Sequence, residues 1–131
     1  MRRMLFLVAV FSVAVFTAKA QDPVKVDPKH YKVEFENAQV RVLHISVGPH
    51  EKTPMHSHPS GVVVWLTDGH VRFTYPDGKT EEAHGQAGQA AWSAAVTHAG
   101  ENLGDKPIGV VQIELKAKPA TAKAPVAKKK S

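Results

Sequence analysis

From Tyr31 to Leu115 apolar and polar residues alternate with a period of two, and few folds accept that pattern. The stretches "YKVEF" (31–35), "QVRVLHISV" (39–47), "GVVVWLT" (61–67) and "HVRFTY" (70–75) are rich in β-branched and aromatic residues and read as strands. "KTEEA" (79–83) reads as a polar return strand at an edge. "QAAW" (89–92) and "PIGVVQIEL" (107–115) complete the set, separated by the loop "ENLGDK" (101–106). Turn signals lie close together. "TDG" (67–69) and "YPDG" (75–78) read as hairpin turns, the second with Pro76 presetting φ and Gly78 free to take the left-handed position. No segment after residue 20 has helical periodicity. Many short strands in so small a chain predict an all-β sandwich or barrel.

Both ends of the chain stand outside this pattern. "MRRM" is a basic start, "LFLVAVFSVAVF" is an apolar run, and "AKA" puts small residues just before Gln21. Residues 1–20 therefore read as a signal peptide cleaved after Ala20, with export to the periplasm or the medium. The apolar run falls short of the roughly 20 residues that a membrane-spanning helix needs, so no transmembrane anchor is expected. The chain has no cysteine, which rules out disulfides and a lipidated N-terminal cysteine. Stability must come from the core or from a bound ion. The tail "KAKPATAKAPVAKKKS" (116–131) has almost no large apolar side chain and is expected to be disordered, either as a solubilising tail or as a basic tether to an anionic envelope surface.

The formal charge of +5 hides an uneven distribution. Without Arg2, Arg3, Lys19 and the six lysines of the tail, eight basic residues face 12 acidic ones across 21–115. This mildly acidic domain argues against a nucleic-acid partner.

Chemistry concentrates in "TPMHSHPSGVVVWLTDG" (53–69). Residues i and i+2 of an extended chain point to one face, so His56 and His58 can present two imidazoles to a single ion. Pro54 and Pro59 favour extended backbone at the residues before them. The bland alternative is a pair of solvated loop histidines. His44 reads as a strand residue with one ring nitrogen satisfied. His30, His50, His70 and His84 lie beside turns or polar segments and read as solvated, with His84 a reserve ligand. Trp65, Phe73, Tyr75 and Trp92 are either core or walls of a ligand cavity, and Trp92 and Trp65 are the candidates for substrate contact.

The same stretch resembles the first motif of the cupin superfamily, in which Pro, H-x-H, a Glu and a Gly follow at fixed spacing. Pro54, His56, His58 and Gly69 match, and "THAGEN" supplies His98 and Asn102, similar to the end of the second motif. The likeness is to small single-domain cupins of the quercetin-dioxygenase type. It implies a small antiparallel cupin-type β-barrel (a double-stranded β-helix, or jelly roll) over 21–115. It also implies a divalent transition metal (Zn, Fe, Mn, Ni or Cu) held by His56, His58 and His98. The glutamate position falls on Val62 or Val63, and His50 stands where the first motif opens with Gly.

Two functions follow from the resemblance. One is a metal-dependent enzyme, dioxygenase-like, acting on a small organic molecule. The other is a non-catalytic barrel that binds a small ligand, with a structural ion or none. Nothing else catalytic is visible, and Glu101 and Glu51 are the acidic residues closest to the motifs. A homodimer paired through its sheets is a further implication of the family likeness.

Overall fold

The computed structural model describes residues 21–117, so residues 1–20, read above as a signal peptide, and the tail beyond Ala117 lie outside the described residues. A short helix α1 (Pro23–Val26) precedes nine strands: β1 (Tyr31–Glu36), β2 (Val40–Val47), β3 (His56–His58), β4 (Gly61–Trp65), β5 (Gly69–Thr74), β6 (Thr80–Gly85), β7 (Ala90–Ser93), β8 (Val96–Asn102) and β9 (Ile108–Leu115). Helix α1 was not expected from periodicity. A single turn has none to display, and local chemistry makes it: the Asp22 side chain caps the Val24 amide, and Pro23 presets the first turn.

The strands form two antiparallel sheets, one ordered β1-β2-β9-β4-β7 and the other β3-β8-β5-β6. The polar strand β6 is at an edge, as its composition predicts. Tyr75–Gly78 closes the β5–β6 hairpin, with Gly78 at φ 83°. The "TDG" reading needs correction. Strand β4 pairs with β7 and β9 while β5 pairs with β6 and β8, so residues 66–68 carry the chain from one sheet to the other. His50 has φ 58°, a left-handed conformation that costs an L-residue energy and suits the glycine expected at this motif position.

Strand β9 is central and alternates strictly, with Ile108, Val110, Gln112 and Glu114 buried. Its inward row Leu43–Gln112–Val63–Ala91 and the next row Tyr31–Ile45–Val110–Trp65 face the other sheet across the core, where Val71 and Phe73 meet them. Leu43 is fully buried, and truncating such a residue costs about 2–5 kcal/mol. Trp65 lies flat against Gly85, where an added Cβ would come within 1.9 Å of the indole. On the outer face a second row runs across all five strands: Phe35, Val42, Ile113, Val62 and Trp92 stand opposite one another in register.

Asn102, the last residue of the second motif, ties the barrel end together. Its amide nitrogen faces the carbonyls of Val47, Gly48 and Lys106 at 2.8–3.1 Å, and its oxygen accepts from the Gly104 amide. At its far end the barrel continues one residue past β9. Lys116 donates its backbone amide to Gln39 and pairs its ammonium with Glu36 at 2.7 Å.

Candidate metal centre and ligand cavity

Register brings the three motif histidines together. His56 and His58 share a face of β3, and His98 on β8 is the direct cross-strand partner of His56. The ring centroids lie 4.7, 5.0 and 5.6 Å apart, and one ligand nitrogen from each ring falls within 4.8 Å of the others. Nitrogens sharing a tetrahedral ion at about 2.0–2.1 Å lie about 3.4 Å apart, so small ring rotations close the gap.

The second nitrogens decide which atoms point inward. His56 Nδ1 lies 2.7 Å from the Pro54 carbonyl, which can only accept, so Nδ1 carries the proton and Nε2 the lone pair. His58 Nδ1 donates to Glu114 Oε1 at 2.8 Å, so the neutral tautomer of this ring carries its lone pair on Nε2. His98 has no such partner among the described residues, and it is oriented by stacking on Phe73 at 4.7 Å and 5°. An acceptor behind a ligating imidazole is the usual support of a metal site.

The carboxylate nearest the trio came from outside the motifs. Glu114 also accepts from Arg41 Nε at 2.7 Å, and Arg41 reaches Asp22 at 2.8 Å, a partly buried relay from the N-terminal turn to His58. Burial alone would raise the Glu114 carboxyl; hydrogen bonds from His58 and Arg41, with the guanidinium charge, hold it below its ordinary value. A Glu opposite an Arg on neighbouring strands is visible in the sequence only once the β2–β9 register is known.

Burial lowers the His56 pKa to about 4, against a smaller opposing effect from the Pro54 carbonyl. Burial and the neighbouring charges of His56 and His58 lower that of His98 to about 3. Both rings are therefore neutral near pH 7, as coordination requires. Tyr31 belongs to the same cluster: its hydroxyl is 3.0 Å from His56 Nε2 and must donate to it. Burial raises the phenol's pKa well above its ordinary value.

His58 and His98 line a cavity of about 610 Å³ between the sheets, with His56 buried behind them. Trp65 forms one wall. Trp92 contributes only at the rim, since it is 64% exposed and its register partner is Val62 on the outer face. Val63 lines the cavity and Val62 does not, so a carboxylate introduced at position 62 would point away from the histidines. Neither acidic residue near the motifs is free for proton transfer at the trio. Glu51 binds Lys29 and His30 away from the cavity, while Glu101 lines the cavity but pairs with Arg72 at 3.6 Å and Lys52 at 3.9 Å.

The other histidines separate from the trio. His44 bonds Glu34 through Nδ1. His50 pairs with Asp105, and His70 bonds Glu82 and stacks on His84 at 3.9 Å. His30 is not solvated as its sequence setting suggests. It is buried, with Asp27 on Nδ1 at 2.7 Å and Glu51 on Nε2 at 2.8 Å, because the turn after α1 folds it under the loop that carries Glu51.

Comparison with known proteins supports the architecture. No family model matches the sequence, and no curated protein matches it closely enough to count as a relative. Among solved structures, a cupin domain from Bordetella pertussis Tohama I is 28% identical, with a TM-score of 0.62 over 66% of this chain and 92% of that one. A cupin superfamily protein from Desulfitobacterium hafniense DCB-2 is 12% identical, with a TM-score of 0.50 over 66% and 76% of the two chains. Bacillus subtilis oxalate decarboxylase, described for its Mn(II) centres, is 21% identical, with a TM-score of 0.51 over 76% of this chain and 29% of that one.

Proposed function

As a member of the cupin superfamily, this chain, we propose, is an exported protein that holds one divalent transition-metal ion through His56, His58 and His98 and receives a small organic molecule in the adjoining cavity. The observation that carries the reading is the pair of Nδ1 contacts to Pro54 and Glu114, which leave two buried Nε2 lone pairs facing the third imidazole. Three neutral nitrogens suit Zn, Fe(II), Mn, Ni or Cu. The Mn(II) centres of the oxalate decarboxylase make Mn a natural first trial. An ion held by three ligands keeps an open position and acts there as a Lewis acid or redox centre.

The chain's own groups do the rest. Glu114 and the Pro54 carbonyl fix two ring orientations, and Phe73 fixes the third. Trp65 and Val63 wall the cavity against water, and Trp92 stands at its rim as a contact for an arriving aromatic ligand. Dioxygenase-like turnover is the finer form of this reading, and a non-catalytic ligand-binding barrel is the coarser one. Metal analysis of the purified protein, followed by calorimetry with Mn, Zn and Ni, tests the site. Oxygen uptake with catechol-like and flavonol compounds then separates the two forms. Protein that carries no metal and gives no heat with any of the three would sink the proposal.

We also propose the homodimer, with the outer row from Phe35 to Trp92 as its contact surface. It is apolar across the full width of the sheet, with Phe35 54% exposed. Burying such a row against a second copy removes apolar area from water. Sedimentation of wild type and Trp92→Asp checks this, since the substitution should yield monomer.

A further inference from the structure

Gln112 is a buried polar residue on the inner face, set among apolar neighbours in its row. It is 5% exposed, sits on central strand β9, and its register neighbours Leu43 and Val63 are apolar. It lines the cavity, and its side-chain amide, bonded to no other side chain or backbone group among the described residues, opens onto that space rather than being sealed from water. Its neighbour on the same face, Glu114, has both oxygens engaged by His58 and Arg41 and cannot serve it. Neither Asn102 nor Glu114, the other buried amide and carboxyl of the barrel, is left free in this way. An occupant that displaced water from this amide without pairing it would leave a polar group unsatisfied, whereas one with a matching group would not.

The rest of the lining defines that occupant. Ile45, Val63, Trp65, Val71, Phe73 and Val110 present hydrocarbon, and among the described residues no lysine or arginine lines the cavity. Its two acidic members, Glu81 and Glu101, disfavour an anion. The volume of about 610 Å³ lies in the range of small-molecule sites. We infer that Gln112 is the specificity residue of this cavity and that its ligand is a neutral, largely apolar molecule bearing one hydroxyl or carbonyl oxygen that pairs with the Gln112 amide. A primary amide offers two donors and one acceptor, so it serves either oxygen type. This rests on the cavity being a ligand chamber, as proposed above, but not on the ion.

A matched pair of probes tests it. 2-Naphthol and 2-methylnaphthalene differ by a hydroxyl in place of a methyl, and both are smaller than the cavity. Titrated calorimetrically into the EDTA-treated protein, 2-naphthol should bind about tenfold more tightly, the factor set by one buried hydrogen bond gained rather than left unmade. Gln112→Leu keeps the shape and removes the amide. It should reverse the preference and leave the melting temperature unchanged or higher, because no folded partner loses a bond. Equal binding of the two probes by wild type, no binding of 2-naphthol, or an unchanged preference in Gln112→Leu would each overturn the assignment. So would a lowered melting temperature in Gln112→Leu, which would reveal a structural partner for the amide. A parallel titration with zinc alone reads the three-histidine site: its failure would count against the metal and leave the Gln112 result standing.

Discussion

His30 and His58 are almost equally buried, at 6% and 4% exposure, and each rests its Nδ1 on a carboxylate. Their other nitrogens differ. His30 Nε2 meets Glu51, which completes a closed bridge between two acidic side chains, whereas His58 Nε2 faces two more imidazoles. Burial and a carboxylate partner are therefore common to a structural histidine and a candidate ligand. The unspent lone pair is what distinguishes them.

Acid should expose the contrast most strongly. The His56 and His98 pKa values are lowered to about 4 and about 3, from 6.5 in the unfolded chain. Above pH 6.5 both states hold these rings neutral; as pH falls toward 4 the unfolded chain takes up protons that the native one resists, and stability is lost. The lowered carboxylates, Glu51 at about 2 among them, add their own losses only below the ordinary carboxyl value of 4.5. Melting temperature of metal-free protein should thus drop steadily between pH 6.5 and 4.5, and a flat profile there would show that burial does not hold His56 and His98 neutral.

Substitution separates the two histidines next. At a hundredfold excess of zinc over its dissociation constant, wild type should gain about 2.7 kcal/mol. His58→Ala should lose that gain. His30→Ala should keep it while losing about 2 kcal/mol of metal-free stability, because Asp27 and Glu51 lose a shared buried partner. Denaturant titrations with and without zinc measure both, and loss of the zinc gain in His30→Ala would contradict the division.

The supporting carboxylates should differ as well, by a smaller amount. Glu114→Gln leaves the shape behind His58 but weakens its acceptor, and should reduce zinc affinity about tenfold. Glu51→Gln should leave zinc affinity as it was. The smallest effect belongs to Tyr31→Phe. The phenol now donates to the lone pair that an ion would use, so removing it should raise zinc affinity severalfold, about 1 kcal/mol. Weaker zinc binding in Tyr31→Phe would show that the hydroxyl helps to hold the ion rather than competing with it.

What was legible in the sequence divides along the same line. His56 and His58 are two residues apart and His98 lies in a second local motif, so neighbouring residues alone announce them. The alternation that reveals strands is likewise local, and it located the β5–β6 hairpin and the polar edge. Glu114, Arg41 and Gln112 act through pairing across strands far apart in sequence. In β9 the first and last of these look like ordinary polar positions in an alternating strand, although both point inward. His30 was hidden for the same reason, since its partner Glu51 is brought near only by the fold. The choice between Val62 and Val63 needed strand register, because a shift of one residue reverses the face.

That sensitivity has a consequence for how the barrel assembles. Strand β3 is only three residues long, and it pairs with β8 through His56↔His98, Ser57↔Thr97 and His58↔Val96. So short a strand has little apolar surface with which to choose its alignment, and sliding by a single position would turn His98 to the opposite side. An ion bridging the two strands would reject that one-residue slip, because it turns His98 away from His56 and His58. Coordination would then act as proofreading during folding, and the order in which metal and barrel form would matter as much as the final affinity.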